Sequence, residues 1–206
     1  MISEVKGLRL GNDINTHLVK LLEALSEGWV PDDYVDKATY EDVKKHPEIY
    51  PPHFVGWCGV CCSYSGKWFG GFAGKVQTKQ GVRNYQLEAK NNVLRQSKKL
   101  KGVVWSSTTF DNLDVSKSDL VYCDPPYLGT TKYRSDFDHE KFYGWVRDLS
   151  ELGINVLISE YVMPDDFVEI WSKPVKSSLS ANGKIGGNKA SIERLFVHES
   201  NPLALF

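Results

Sequence analysis

The sequence predicts an α/β fold, a mixed and mostly parallel sheet with a C-terminal antiparallel hairpin and helices in its connections. Three observations carry this. Residues 120–123 (Leu-Val-Tyr-Cys) and 155–159 (Asn-Val-Leu-Ile-Ser) are apolar runs of strand length. Between them, Phe142, Trp145, Val146 and Leu149 share one face of a helix over 138–152 that stops at Gly153, which makes a βαβ unit. Near the N-terminus, residues 8–11 read as a strand, and Leu18, Leu21, Leu22 and Leu25 then recur at helical spacing.

That first helix finds a capping acceptor in Asn15 or Thr16, and Gly28 stands just beyond its last leucine. Asp13 therefore falls at the carboxyl end of a strand, the edge where α/β sheets bind ligands. Residues 27–50 are acidic and punctuated by proline, with a helix expected over 39–45, capped by Thr39 and closed before Pro47. Residues 54–74 hold glycine, aromatic and small residues without a sustained period, so a buried helix and an irregular loop both stand. A helix over 87–100 and strands over 103–105, 167–171 and 195–197 complete the chain, with a glycine-rich loop over 182–188.

A length of 206 residues, 41% hydrophobic and 25% charged, suits one globular domain or two small ones and argues against disorder. No apolar run approaches the roughly 20 residues of a spanning helix, and the first ten residues lack an apolar signal core. A cytoplasmic protein with no membrane partner is expected. The net charge of −1 gives no global attraction to nucleic acid, so such a site must come from local pattern. Residues 67–101 supply one: nine Lys or Arg against a single acid, Glu88, with Trp68, Phe69, Phe72 and Tyr85 interleaved. Phosphate contact with base packing needs that mixture, although a solvated charged face has the same composition. Cys58, Cys61, Cys62 and Cys123 are expected as reduced thiols, and Cys58 with Cys61 lacks a second pair at zinc spacing, so no metal is expected.

The most informative tetrapeptide is Asp124-Pro125-Pro126-Tyr127, directly after the apolar run 120–123. Two prolines cannot continue a central strand, so the chain leaves the sheet in a rigid turn that holds an acid and an aromatic at its carboxyl edge. With this turn, the Gly11-Asn12-Asp13-Ile14-Asn15 stretch, the aromatic-glycine segment 63–74 and the run Val156-Leu157-Ile158-Ser159-Glu160-Tyr161, the chain resembles a known family over nearly its whole length. The family is that of the D12-type, Dam-like DNA adenine-N6 methyltransferases, phage and prophage members above all. The resemblance implies a Rossmann-like methyltransferase fold, S-adenosylmethionine as cofactor, and double-stranded DNA with a flipped adenine as partner, in a bacterial cell.

For individual residues, the resemblance implies that Asp124 and the Pro125 carbonyl accept the amine's N–H bonds, Pro126 fixes the turn, and Tyr127 stacks on the base. Asp13 and Ile14 would lie at the cofactor's ribose, and Phe110 and Asp111 at its adenine, with Thr109 the alternative occupant of the usual acid's position. The basic segment lies where the family carries target recognition, with Ser63, Tyr64, Lys67 and Arg83 as DNA-binding candidates. The expected organisation is the start of the methyltransferase domain over 1–28, an inserted recognition region over 29–101, and the remainder over 102–206.

One family feature is missing upstream of Asp13: an aromatic-x-Gly-x-Gly loop with its strand, which needs a βα unit of about 30 residues. The segment 69–74 is better read as a tight turn with packed aromatics. An N-terminally truncated fold is therefore expected, its central strand and loop supplied by a second polypeptide, covered in a homodimer, or lost in an inactive relic that still binds DNA. Cytosine-N4 transfer would use the same acceptors.

Overall fold

The computed structural model describes residues 5–116, 118, 120–128, 137–176 and 190–205. The chain divides into two compact units, Met1–Phe110 and Asp111–Phe206.

In the first unit, β1 (Arg9–Asn12) leads into α1 (Thr16–Ser26). Asn15 is its cap, the side-chain oxygen accepting from the N–H groups of His17 at 3.1 Å and Leu18 at 3.2 Å. Helix α2 (Lys37–Lys45) starts earlier than expected because Asp36, not Thr39, caps it: the carboxylate accepts from the Thr39 N–H at 2.9 Å and the Thr39 hydroxyl at 2.8 Å. The segment without a period begins as a helix, α3 (Pro52–Gly56), and widens into a π turn over Trp57–Cys61. Its pattern is unreadable because Val55, Gly56, Trp57, Cys58 and Gly59 are all buried, leaving no polar face to set a phase. At Gly56, α3 approaches α1 so closely that a Cβ would stand 2.2 Å from the His17 carbonyl oxygen.

Leu21, Leu25, Tyr40, Val43, Val55 and Trp57 form the core of this unit. An antiparallel hairpin that the sequence did not foretell, β2 (Lys75–Thr78) and β3 (Gly81–Asn84), precedes α4 (Tyr85–Ser97), which Asn84 caps. Buried Gln86 takes the place of a strand partner for Val35: Oε1 accepts from its N–H at 2.6 Å and Nε2 donates to its carbonyl at 3.0 Å. The strand β4 (Val103–Ser106) then pairs in parallel with β1, Arg9 opposite Val103.

The second unit holds the expected βαβ element: β5 (Leu120–Cys123), α5 (His139–Glu151) and β6 (Asn155–Glu160), with Leu120 opposite Asn155 in a parallel register. Phe142, Tyr143, Val146 and Leu149 are the buried face of α5, and Val156, Ile158, Phe167, Phe196 and Val197 are buried on the strands. The terminal hairpin, β7 (Phe167–Lys176) and β8 (Ala190–His198), is longer than the apolar runs suggested, and the glycine-rich loop 182–188 lies outside the described residues.

The strand order is β5-β6-β8-β7, with the two pairings after β6 antiparallel. Pairing thus departs from a mostly parallel sheet: the described strands form a parallel pair, a hairpin and a mixed four-stranded sheet. Among the described residues, β1 pairs with β4 alone and β5 with β6 alone. The outer strand β7 carries Pro174 and a register shift between Glu169 and Trp171. No helix among the described residues is long and apolar enough to cross a membrane.

Candidate active site

The turn Asp124-Pro125-Pro126-Tyr127 leaves the end of β5, and the ladder to β6 stops with Cys123 opposite Ile158. The prolines offer no N–H to extend that ladder, so other groups hold the turn. His139, the first residue of α5, places Nε2 2.9 Å from the Pro126 carbonyl, and that nitrogen must be the donor because a carbonyl only accepts. The hydroxyls of Tyr127 and Ser159 are 2.5 Å apart. Glu160, buried at the end of β6, accepts from the Leu128 N–H at 3.0 Å. The Tyr161 ring meets Tyr127 edge to face, centroids 4.7 Å apart at 82°.

Asp124 itself is exposed at this rim. Partial desolvation raises its carboxyl above the ordinary value, with the Glu193 charge adding to the rise and a hydrogen bond with Tyr127 opposing it. Desolvation also pushes the Tyr127 phenol up to about 12, so it stays protonated near neutrality. Burial pushes the neighbouring Cys123 thiol up to about 12, which leaves it a poor nucleophile. A carboxylate and backbone carbonyls beside an aromatic ring form an acceptor site for a planar group with N–H donors. Asp111 is held by Lys141 in an ion pair of 2.6 Å.

In the first unit, Asp13 follows β1, half-buried, with Oδ1 accepting from the Asn15 N–H at 2.8 Å. This is the turn-forming role an aspartate at a strand end commonly plays, and a carboxylate keeps further lone pairs for a ligand. Ile14 beside it is exposed. Asn12, given no role of its own in the sequence reading, organises this edge. Its Oδ1 accepts from the Thr108 N–H at 3.1 Å and the Ser106 hydroxyl at 2.9 Å, and its Nδ2 donates to the Thr108 carbonyl at 3.0 Å. The loop after β4 is thereby tied to β1, just ahead of the short turn Phe110–Asn112.

The basic segment divides sharply. Ser63 is buried, its hydroxyl bonded to that of Tyr40 at 2.9 Å and to the Cys58 carbonyl at 3.0 Å, so the fold already occupies it. Phe69 and Phe72 pack on Tyr40 at 5.5 and 5.3 Å between centroids, and Trp68 lies against Phe69 and His17. Phe69 and Phe72 thus serve packing, while Trp68 stays exposed. Tyr64 and Lys67 are exposed, as are Lys75, Lys79 and Arg83 on the hairpin. Arg83 forms a two-pronged pair with Glu88 at 2.7 and 2.8 Å and stacks over Tyr85. The four cysteines are free thiols, Cys58 and Cys62 buried, and no group of three His, Cys, Asp or Glu among the described residues could hold a metal.

A family model described as D12 class N6 adenine-specific DNA methyltransferase matches residues 53–181, well over half of the chain. The chain belongs to that family. No curated protein matches it. Membership in the D12 class brings DNA as substrate and S-adenosylmethionine as methyl donor. The D12 match spans the basic segment, Asp111 and the whole Asp124-to-Tyr127 turn, while Asp13 and Ile14 precede it.

Proposed function

We propose that this chain transfers a methyl group from S-adenosylmethionine to N6 of adenine in double-stranded DNA. The observation that carries the reading is the exposed Asp124 carboxylate on a proline turn held from β6 and α5. An exocyclic amine is a weak nucleophile because its lone pair is delocalised into the ring. Asp124 and the Pro125 carbonyl would accept its two N–H bonds and localise that pair. Tyr127 would stack on the base once it is turned out of the duplex, and Pro126 would keep ring and carboxylate in one rigid frame. Bound S-adenosylmethionine would supply an electrophilic sulfonium methyl. The lone pairs of Asp13 not used by Asn15 suit ribose hydroxyls, with Ile14 alongside and Phe110 and Asp111 toward the donor's adenine.

Target recognition is assigned to residues 29–101, with Tyr64, Lys67 and Arg83 contacting DNA, while buried Ser63 is held by Tyr40 and the Cys58 carbonyl and is left out of the contact. A Rossmann-like sheet is supported by the parallel pairs β1–β4 and β5–β6. Among the described residues β1 and β5 each keep one side unpaired, and a strand that carries a glycine-rich loop, from a second polypeptide or a homodimer partner, would pair with one of them.

The test is incorporation of tritiated methyl from S-adenosylmethionine into unmethylated plasmid DNA, followed by digestion to nucleosides. Label in N6-methyl-2′-deoxyadenosine is expected. Asp124→Ala is expected to reduce it to background while retention on DNA is unchanged. Label in N4-methyl-2′-deoxycytidine, or salt-dependent DNA retention with no label from the wild type, overturns the proposal.

A further inference from the structure

Glu160 takes no part in the chemistry above, yet the residue is only 1% exposed, at the carboxyl end of β6. Burying an ionised carboxylate is costly unless donors surround it. Two do: the Leu128 N–H reaches Oε2 at 3.0 Å and the Tyr161 N–H reaches Oε1 at 2.7 Å. One side chain thus ties the exit of the proline turn to the exit of the neighbouring strand. The turn needs such a tie because Pro125 and Pro126 supply no backbone donors. A carboxylate suits the task because both partners donate and both its oxygens accept.

We propose that Glu160 is a positioning residue for methyl transfer, fixing the Asp124–Tyr127 turn through the Leu128 amide; this rests on the function proposed above. Ser159, the preceding residue, holds the Tyr127 hydroxyl, so the two together fix the ring and the backbone just beyond it. Glutamine at this position has the same shape but only one acceptor oxygen. It can keep one of the two amides and must lose the other.

The experiment is residue-resolved amide exchange by NMR on the full chain, for wild type, Glu160→Gln and Glu160→Ala. Losing a hydrogen bond to a charged acceptor speeds local exchange roughly 10- to 100-fold. That acceleration is expected at both Leu128 and Tyr161 in the alanine variant, and at one of them in the glutamine variant. Where Glu160→Ala does not fold, the glutamine variant decides alone. In the tritium assay, kcat is expected to fall roughly 10- to 100-fold with KM for plasmid DNA unchanged. Leu128 exchange as slow as wild type in every variant that folds, or kcat unchanged with accelerated exchange, overturns the positioning role. Altered exchange in a wild-type background that incorporates no label overturns the methyltransferase reading instead, and with it the catalytic purpose of the tie.

Discussion

Asp124 owes its chemistry to the place where its strand ends. Desolvation there raises the carboxyl above the ordinary 3.8, and Glu193 adds to the rise. A raised value means that the ionised form is reached at higher pH than for a free aspartate. Acceptance of an amine N–H requires that form, so the acid limb of kcat/KM is expected above the ordinary aspartate value, activity falling as pH drops through it. Tyr127→Phe removes the hydrogen bond that opposes the rise, so the limb should move further up while ring stacking survives. A pH–rate profile of the two proteins checks both statements, and a limb at or below the ordinary value would contradict them. The prolines made this turn legible in the sequence because few structures accept Asp-Pro-Pro-Tyr after an apolar strand. Glu160 and Asn12 were not legible as anchors, since nothing in a string of letters says that a particular acid is buried or that an amide faces a distant loop.

At the level of elements, Gln86 does what a neighbouring strand would otherwise do for Val35. Gln86→Leu leaves a buried N–H and a buried carbonyl without partners, at about 2–3 kcal/mol of stability. Urea unfolding should show that loss as a lower midpoint with an unchanged slope. Long elements with one apolar face were readable, and the βαβ unit and the leucine helix stand where their periodicity put them. The hairpin was not, because β2 and β3 are four residues each and largely exposed, so no inside-outside alternation marks them. For the same reason β7 and β8 outrun their apolar centres: their paired ends are held by backbone bonds that composition does not reveal. Nor did the letters tell the rings of the basic segment apart: Phe69 and Phe72 pack on Tyr40, while Trp68, against Phe69 and His17, stays exposed.

For the molecule as a whole, the family was legible because the matched span contains the Asp124-to-Tyr127 turn and the basic segment, which reason and resemblance had both singled out, although Asp13 and Ile14 precede it. The four-stranded sheet also has unequal flanks: Pro174 and the shift near Glu169 blunt one, while β5, Leu-Val-Tyr-Cys, leaves the other smooth. Two copies joined β5 to β5 about a twofold axis would turn only their proline-bearing flanks outward. In such a pair each β5 edge would cover the other, and strand addition along this sheet would end there.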